Sequence, residues 1–207
     1  TIISLVLTTD MTNHFPLRGE LDSVITRNMV NGIPAKLDDK DTLIVLKCIL
    51  HTSDISNPAR PWEVSKKWSD LVIQEFFDQG DREKKEGLPV SMNCDRDSTM
   101  QDEMSMNFTD FIVAPLFFSM AKLLPRMLRV CKILETNRSK WNDIYTQRAL
   151  LIEDEKVRKE NLDKWAARSA GFAEKVVDLE KTVEALWTSV PVPDNTEEQA
   201  SIEIKSS

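Results

Sequence analysis

His51 and Asp54 are the residues in this sequence best placed to do chemistry. They stand three apart in His51-Thr-Ser-Asp-Ile-Ser-Asn-Pro-Ala-Arg-Pro61, at the end of a run holding Leu43, Ile44, Val45, Leu46, Ile49 and Leu50. On a helix that spacing puts both side chains on one face. A carboxylate beside an apolar segment is costly to bury unless it is paired or bound to a metal. The pair therefore suits metal ligation, or a histidine oriented by a neighbouring carboxylate. Asp54 equally suits a cap at a helix end or turn, because the Ser-Asn-Pro signal follows it directly. Spacing alone leaves both readings open.

The elements that must position these residues read as helices. Leu37 to Ser53 predicts a helix with Asp38, Asp39 and Asp41 near its N-terminus, where negative charge suits the dipole. Pro61 is well placed to start the next helix, on which Trp68, Leu71, Val72 and Phe76 form an apolar stripe. Trp68 reads as a core anchor. The run Asp81-Arg-Glu-Lys-Lys-Glu86 closes that helix, and Gly87-Leu-Pro89 breaks it. Upstream, Thr1-Ile-Ile-Ser-Leu-Val-Leu7 reads as a buried helix cut open. Pro16 marks a helix end, and Leu21, Val24 and Ile25 mark a short helix before the Asn31-Gly-Ile-Pro34 loop. Downstream, Met104, Phe108, Phe111 and Ile112 resume helical spacing until Pro115 kinks or ends the helix, and another helix is expected from about Arg126 to Glu135. Leu162, Trp165, Ser169, Phe172, Val176, Leu179, Val183 and Leu186 then step by three and four along one long helix. That seam either packs back on its own domain or forms a coiled-coil homodimer. The tail from Pro191 to Ser207 reads as disordered. The fold class is all-α.

Composition narrows the function classes. The chain has 207 residues, 41% hydrophobic and 29% charged, enough for one sizeable core. A formal net charge of -7 argues against nucleic acid as a partner. Cys48, Cys94 and Cys131 lie far apart, which points to a reducing compartment and no thiolate metal site. The longest apolar run, Phe111 to Ala121, is interrupted by Pro115 and is too short to span a bilayer. Phosphate-loop, Gly-x-Ser-x-Gly and zinc-type His spacings are absent, and the only histidines are His14 and His51.

Several motifs in order carry a resemblance. His51-Thr-Ser-Asp-Ile-Ser-Asn-Pro58, Trp68 to Glu83, Gly87-Leu-Pro-Val90, Val6-Leu-Thr-Thr-Asp-Met-Thr-Asn-His14, Cys94-Asp-Arg and Phe108-Thr-Asp-Phe-Ile-Val-Ala-Pro115 closely resemble the catalytic domain of class I 3′,5′-cyclic nucleotide phosphodiesterases. The resemblance covers about Thr1 to Trp141. It implies an all-α domain that hydrolyses cAMP, cGMP or both to the 5′-monophosphate with two divalent metal ions, zinc and magnesium or manganese. Carried over by position, Asp54 is a metal ligand, Thr9 lies near metal-bound water, and His51 is a structural neighbour of the site. Asn57 hydrogen-bonds the purine, Phe108 and Val72 clamp its faces, and Met11 lies on the pocket wall. A cytoplasmic location is implied as well.

Two departures qualify this expectation. The family's purine-fixing glutamine, three residues before the clamp phenylalanine, falls here on Ser105, and Gln101 is one turn too early to replace it. The family's other metal ligands and its general acid lie in His-rich motifs upstream of this stretch, and none is present in this sequence. The expected organisation is a partial catalytic domain over 1–141, a long helix over 142–190 and a disordered tail over 191–207. The chain is expected to be a fragment, inactive alone. The alternative is a non-catalytic interaction protein derived from the same domain.

Overall fold

The computed structural model describes residues 2–30, 33–34 and 36–187, and it is all-α as expected. Helix α1 (Ile2–Leu7) leads through a short turn to α2 (His14–Asn28). Pro16 does not end a helix: it sits in the first turn of α2, where its missing N–H would have no partner anyway. The buried face of α2 is the stripe His14, Leu17, Leu21, Val24, Ile25 and Asn28. Two residue pairs, β1 (Met29–Val30) and β2 (Ile33–Pro34), form a minimal antiparallel ladder, the only strands among the described residues.

Helix α3 (Asp39–Asp54) starts on Asp38, whose carboxylate accepts the N–H of Asp41 at 2.7 Å. Asp41 in turn accepts from Arg27 at 2.6 Å and from Asn28 at 2.8 Å, which ties α3 to the end of α2. The turn Asn57–Ala59 leads into α4 (Trp62–Lys85), and Gly87, at φ +69°, ends that helix as the sequence predicts. The apolar stripe of α4 is only partly covered. Trp68 is 48% exposed and Leu71 55%, so Trp68 is not the core anchor it resembles.

Pro115 neither ends nor sharply breaks its helix. Helix α5 (Gln101–Phe108) passes through a π-turn, Thr109–Val113, into α6 (Ala114–Leu123). The N–H of Ala114 reaches back to the carbonyl of Thr109, and the widened turn makes room for the proline ring that follows. The continuous helix Gln101–Leu123 is long and apolar enough to cross a membrane by length and composition. Here it is a core helix: Met106, Val113, Leu116 and Phe117 are buried, and Asp102 and Asp110 form ion pairs.

Helix α7 (Leu128–Ala149) extends well past Glu135, so the expected boundary at 141 falls inside it. The long helix is α8 (Glu155–Trp187). Its seam residues Trp165, Phe172, Val176, Leu179 and Val183 are all buried, and α8 packs on α6 and α7. The seam is thus an intramolecular contact among the described residues. Ser169 interrupts the seam for a reason: its hydroxyl accepts from Arg138 Nη1 at 2.7 Å. Arg138 is itself buried and grips Asp110 through Nε at 2.7 Å and Nη2 at 3.1 Å. The expected tail, 191–207, lies outside the described residues. The apolar face of α1 is exposed, with Ile2 77% and Ile3 75% accessible, so α1 is not a buried helix within this chain.

Candidate functional site

An apolar pocket of about 80 Å³ opens where α4, α5, α7 and the Asn57–Ala59 turn meet. Its lining brings together Asn57, Val72, Ser105 and Phe108, with Trp68, Ser69, Met104, Thr109 and Trp141 around them. Val72 lies one turn beyond Trp68 on α4, and Phe108 one turn beyond Met104 on α5, so each wall presents an i, i+4 pair. A slot with an aromatic ring and an aliphatic branch in its walls suits a flat, apolar-faced ligand.

The polar groups at this slot are held from behind. Asn137, buried on α7, donates its amide hydrogens to the carbonyls of Pro58 and Arg60, both at 2.7 Å. Those bonds fix the turn that carries Asn57, and the Asn57 amide itself makes no hydrogen bond to any described residue. It therefore keeps both a donor and an acceptor for a ligand. Ser105 Oγ lies 2.9 Å from Ser69 Oγ across the α4–α5 contact. At the start of α5, Arg148 of α7 clamps Asp102 with two bonds of 2.9 Å, which anchors the helix that presents Ser105 and Phe108.

The other predicted residues lie elsewhere. Asp54 is the exposed last residue of α3, three residues before Asn57. Thr9 follows α1 and donates its hydroxyl to the carbonyl of Val6 at 2.8 Å, while Met11 is 44% exposed. None of the three lines the pocket. His51 is fully buried, with Nε2 2.9 Å from Nδ1 of His14. Burial holds both imidazoles below the ordinary histidine pKa. For His14 the neighbouring His51 and Arg18 add to this; for His51 the charge of Asp54 works against it. Among the described residues no group of three or more His, Cys, Asp or Glu could hold a metal ion. These side chains alone do not fit a two-metal centre, and His51 is engaged with His14.

Sequence reasoning missed Ser69, Met104 and Trp141 as pocket residues and His14 as the partner of His51. His14 could have been found: it heads the stripe at 17, 21, 24 and 28, and burial of that stripe carries the ring inward. Ser69 carried no such signal, because a serine on a helix face is ordinarily solvated.

The comparisons bear on this geometry. The family profile described as 3′5′-cyclic nucleotide phosphodiesterase matches residues 1–134. 3′,5′-cyclic-AMP phosphodiesterase 4C of Mus musculus is 34% identical over 140 residues, 66% of this chain and 20% of that protein. Isoform F of the 3′,5′-cyclic-AMP phosphodiesterase of Drosophila melanogaster is 36% identical over 140 residues, 66% of this chain and 21% of that protein. The solved structure of LmjPDEB1 in complex with IBMX superposes with a TM-score of 0.61 at 28% identity, covering 69% of this chain and 42% of that one. The chain spans about a fifth of the length of these curated relatives. With a matched profile over most of its described length and the family's all-α fold, the chain belongs to the 3′,5′-cyclic nucleotide phosphodiesterase family.

Proposed function

We propose that this chain binds the purine of a 3′,5′-cyclic nucleotide in the pocket between α4 and α5. In this reading Phe108 and Val72 grip the two faces of the base, and Asn57 and Ser105 meet its edge. The observation that carries it is the convergence of these four residues from three separate elements on one apolar slot. Asp54 contributes one ligand to a centre of divalent metal ions, zinc with magnesium or manganese, and Thr9 and Met11 border that centre. When bound, such ions would activate water and neutralise phosphoryl charge. Hydrolysis to the 5′-monophosphate then depends on ligands beyond those described here, so this chain binds without turning over.

The test is calorimetric titration of the 207-residue chain with cAMP and cGMP, with 5′-monophosphate release assayed in Mg²⁺, Mn²⁺ and Zn²⁺. Binding of at least one nucleotide without release is the expected result, and Phe108→Ala should weaken it about tenfold or more through lost stacking. If neither nucleotide bound, the pocket assignment would be wrong. Release by the chain alone would overturn the metal assignment. A second reading, a nucleotide-binding protein without catalysis in any context, is favoured by Ser105 standing where the family places its purine-fixing glutamine. Recovery of hydrolysis when the family's upstream metal-binding segment is supplied would exclude it.

A further inference from the structure

Gln101 does not line the pocket, yet it sets the direction of hydrogen bonding inside it. Its Nε2 lies 2.7 Å from Asp70 Oδ1 and 3.0 Å from Ser69 Oγ. A carboxylate can only accept. Although burial pushes the Asp70 carboxyl up, hydrogen bonds from Gln101 and Lys66 outweigh it and keep the group below its ordinary pKa. The amide atom facing Asp70 is therefore the nitrogen, and its second hydrogen points at Ser69 Oγ, which accepts. The remaining partner of Ser69 Oγ is Ser105 Oγ, 2.9 Å away. Geometry allows either hydroxyl to donate in this contact; Ser105 Oγ is the one acceptor that the described residues offer the Ser69 proton, and the relay runs that way. The hydroxyl hydrogen of Ser105 has no partner among the described residues, and Ser105 faces the pocket.

We propose that Gln101, Ser69 and Ser105 form a directional relay that makes Ser105 a hydrogen-bond donor to the bound base, so that the pocket favours a 6-oxopurine over a 6-aminopurine. Guanine offers O6 and N7 as neighbouring acceptors, whereas adenine offers N7 beside an amino donor. A fixed donor meets O6 productively and meets the adenine amine donor to donor. The preference would set this chain apart from relatives named for cyclic AMP. Gln101 is a positioning residue, since it acts through Ser69. The inference rests on the assignment of the pocket to the purine.

The experiment is titration of the full chain and its variants with cGMP and cAMP, read as the ratio of the two affinities. Wild type should favour cGMP by about tenfold, the worth of one hydrogen bond made against one left unmade. Gln101→Met keeps the side-chain length but removes the donor, so both serine hydroxyls can reverse and the ratio should fall towards one. Ser69→Ala should do the same, while Ser69→Thr, which keeps the hydroxyl, should retain the preference. Phe108→Ala should weaken both nucleotides alike. A wild-type ratio near one, or a ratio unchanged in both Gln101→Met and Ser69→Ala, overturns the relay and leaves the pocket assignment standing. Failure of wild type to bind either nucleotide overturns the pocket assignment itself. Should Gln101→Met lose its helical circular dichroism, Ser69→Ala with Ser69→Thr decides the matter.

Discussion

His14 Nδ1 and His51 Nε2 share one proton across 2.9 Å in the contact between α2 and α3, and neither ring is exposed. One nitrogen must donate and the other accept, so the pair is stable only while at least one ring is neutral. Neither His14 Nε2 nor His51 Nδ1 has a hydrogen-bond partner, although the Ile112 carbonyl lies close enough to favour the charged form of His14 slightly.

The folded pKa of each histidine is depressed, so below the ordinary value near 6.5 the unfolded chain binds more protons than the folded one. This contribution to stability is therefore present above that pH and is lost as pH falls through the folded values. The melting temperature should drop between pH 7 and pH 5. Long-range ¹H–¹⁵N spectra, in which the chain's two histidines are the only imidazoles, should show both titrating below 6.5. Free-histidine titration curves would refute the pairing.

Asp110 joins three helices, because it accepts from Arg138 on α7 and, at 2.7 Å, from Arg168 on α8. Removing its charge strands the buried Arg138 guanidinium. Asp110→Asn should cost about 3–5 kcal/mol of stability in chemical denaturation. The combined change Arg138→Met with Asp110→Leu should cost much less, since no buried charge is then left unpaired.

Gly80 lies where the loop after α4 presses on the helix. A Cβ built there would stand 1.9 Å from the carbonyl oxygen of Cys94, a backbone atom that cannot swing aside. Gly80→Ala should therefore destabilise the chain by about 1–3 kcal/mol despite its better helix propensity. The loop should also be cleaved by protease between Pro89 and Met100 faster than in the wild type.

The cysteine thiols should divide by depth. Burial pushes Cys48 and Cys131, both 0% exposed, up to about 12, and it also raises the Cys94 thiol, which keeps 4% of its surface. Native-state alkylation at pH 8, mapped by mass spectrometry, should modify Cys94 first and leave the other two intact until the protein unfolds. Prior labelling of Cys48 or Cys131 would contradict the packing.

Much of this fold was legible because its signals are local. The stripe on α2, the acidic start of α3 and the glycine stop after α4 each need only a few neighbouring residues. The seam of α8 was also readable, but whether it packs inward depended on Arg138, more than thirty residues away, meeting Ser169. Of the site, Asn57, Val72 and Phe108 could be placed by resemblance. Ser69 and the role of Gln101 could not, since each depends on a contact between α4 and α5 that no periodicity encodes. Pro16 misled because it lacks an N–H at a position where the helix had no ordinary use for one, whereas Pro115 did mark an irregularity, the π-turn just before it.

The π-turn Thr109–Val113 has a consequence for how insertions and deletions would act. One extra residue in a helix rotates everything beyond it by about 100°. Here that offset lets Met104 and Ser105 face the pocket while Leu116, Phe117 and Met120 face the main core on the same continuous helix. The two halves of the helix thus keep separate phases, joined by a single gear-tooth shift. Deleting one residue between Thr109 and Val113 would bring them back into step, and either the pocket wall or the core face would turn away from its neighbours. Lineages related to this chain should tolerate substitution within the turn far more readily than a change in its length.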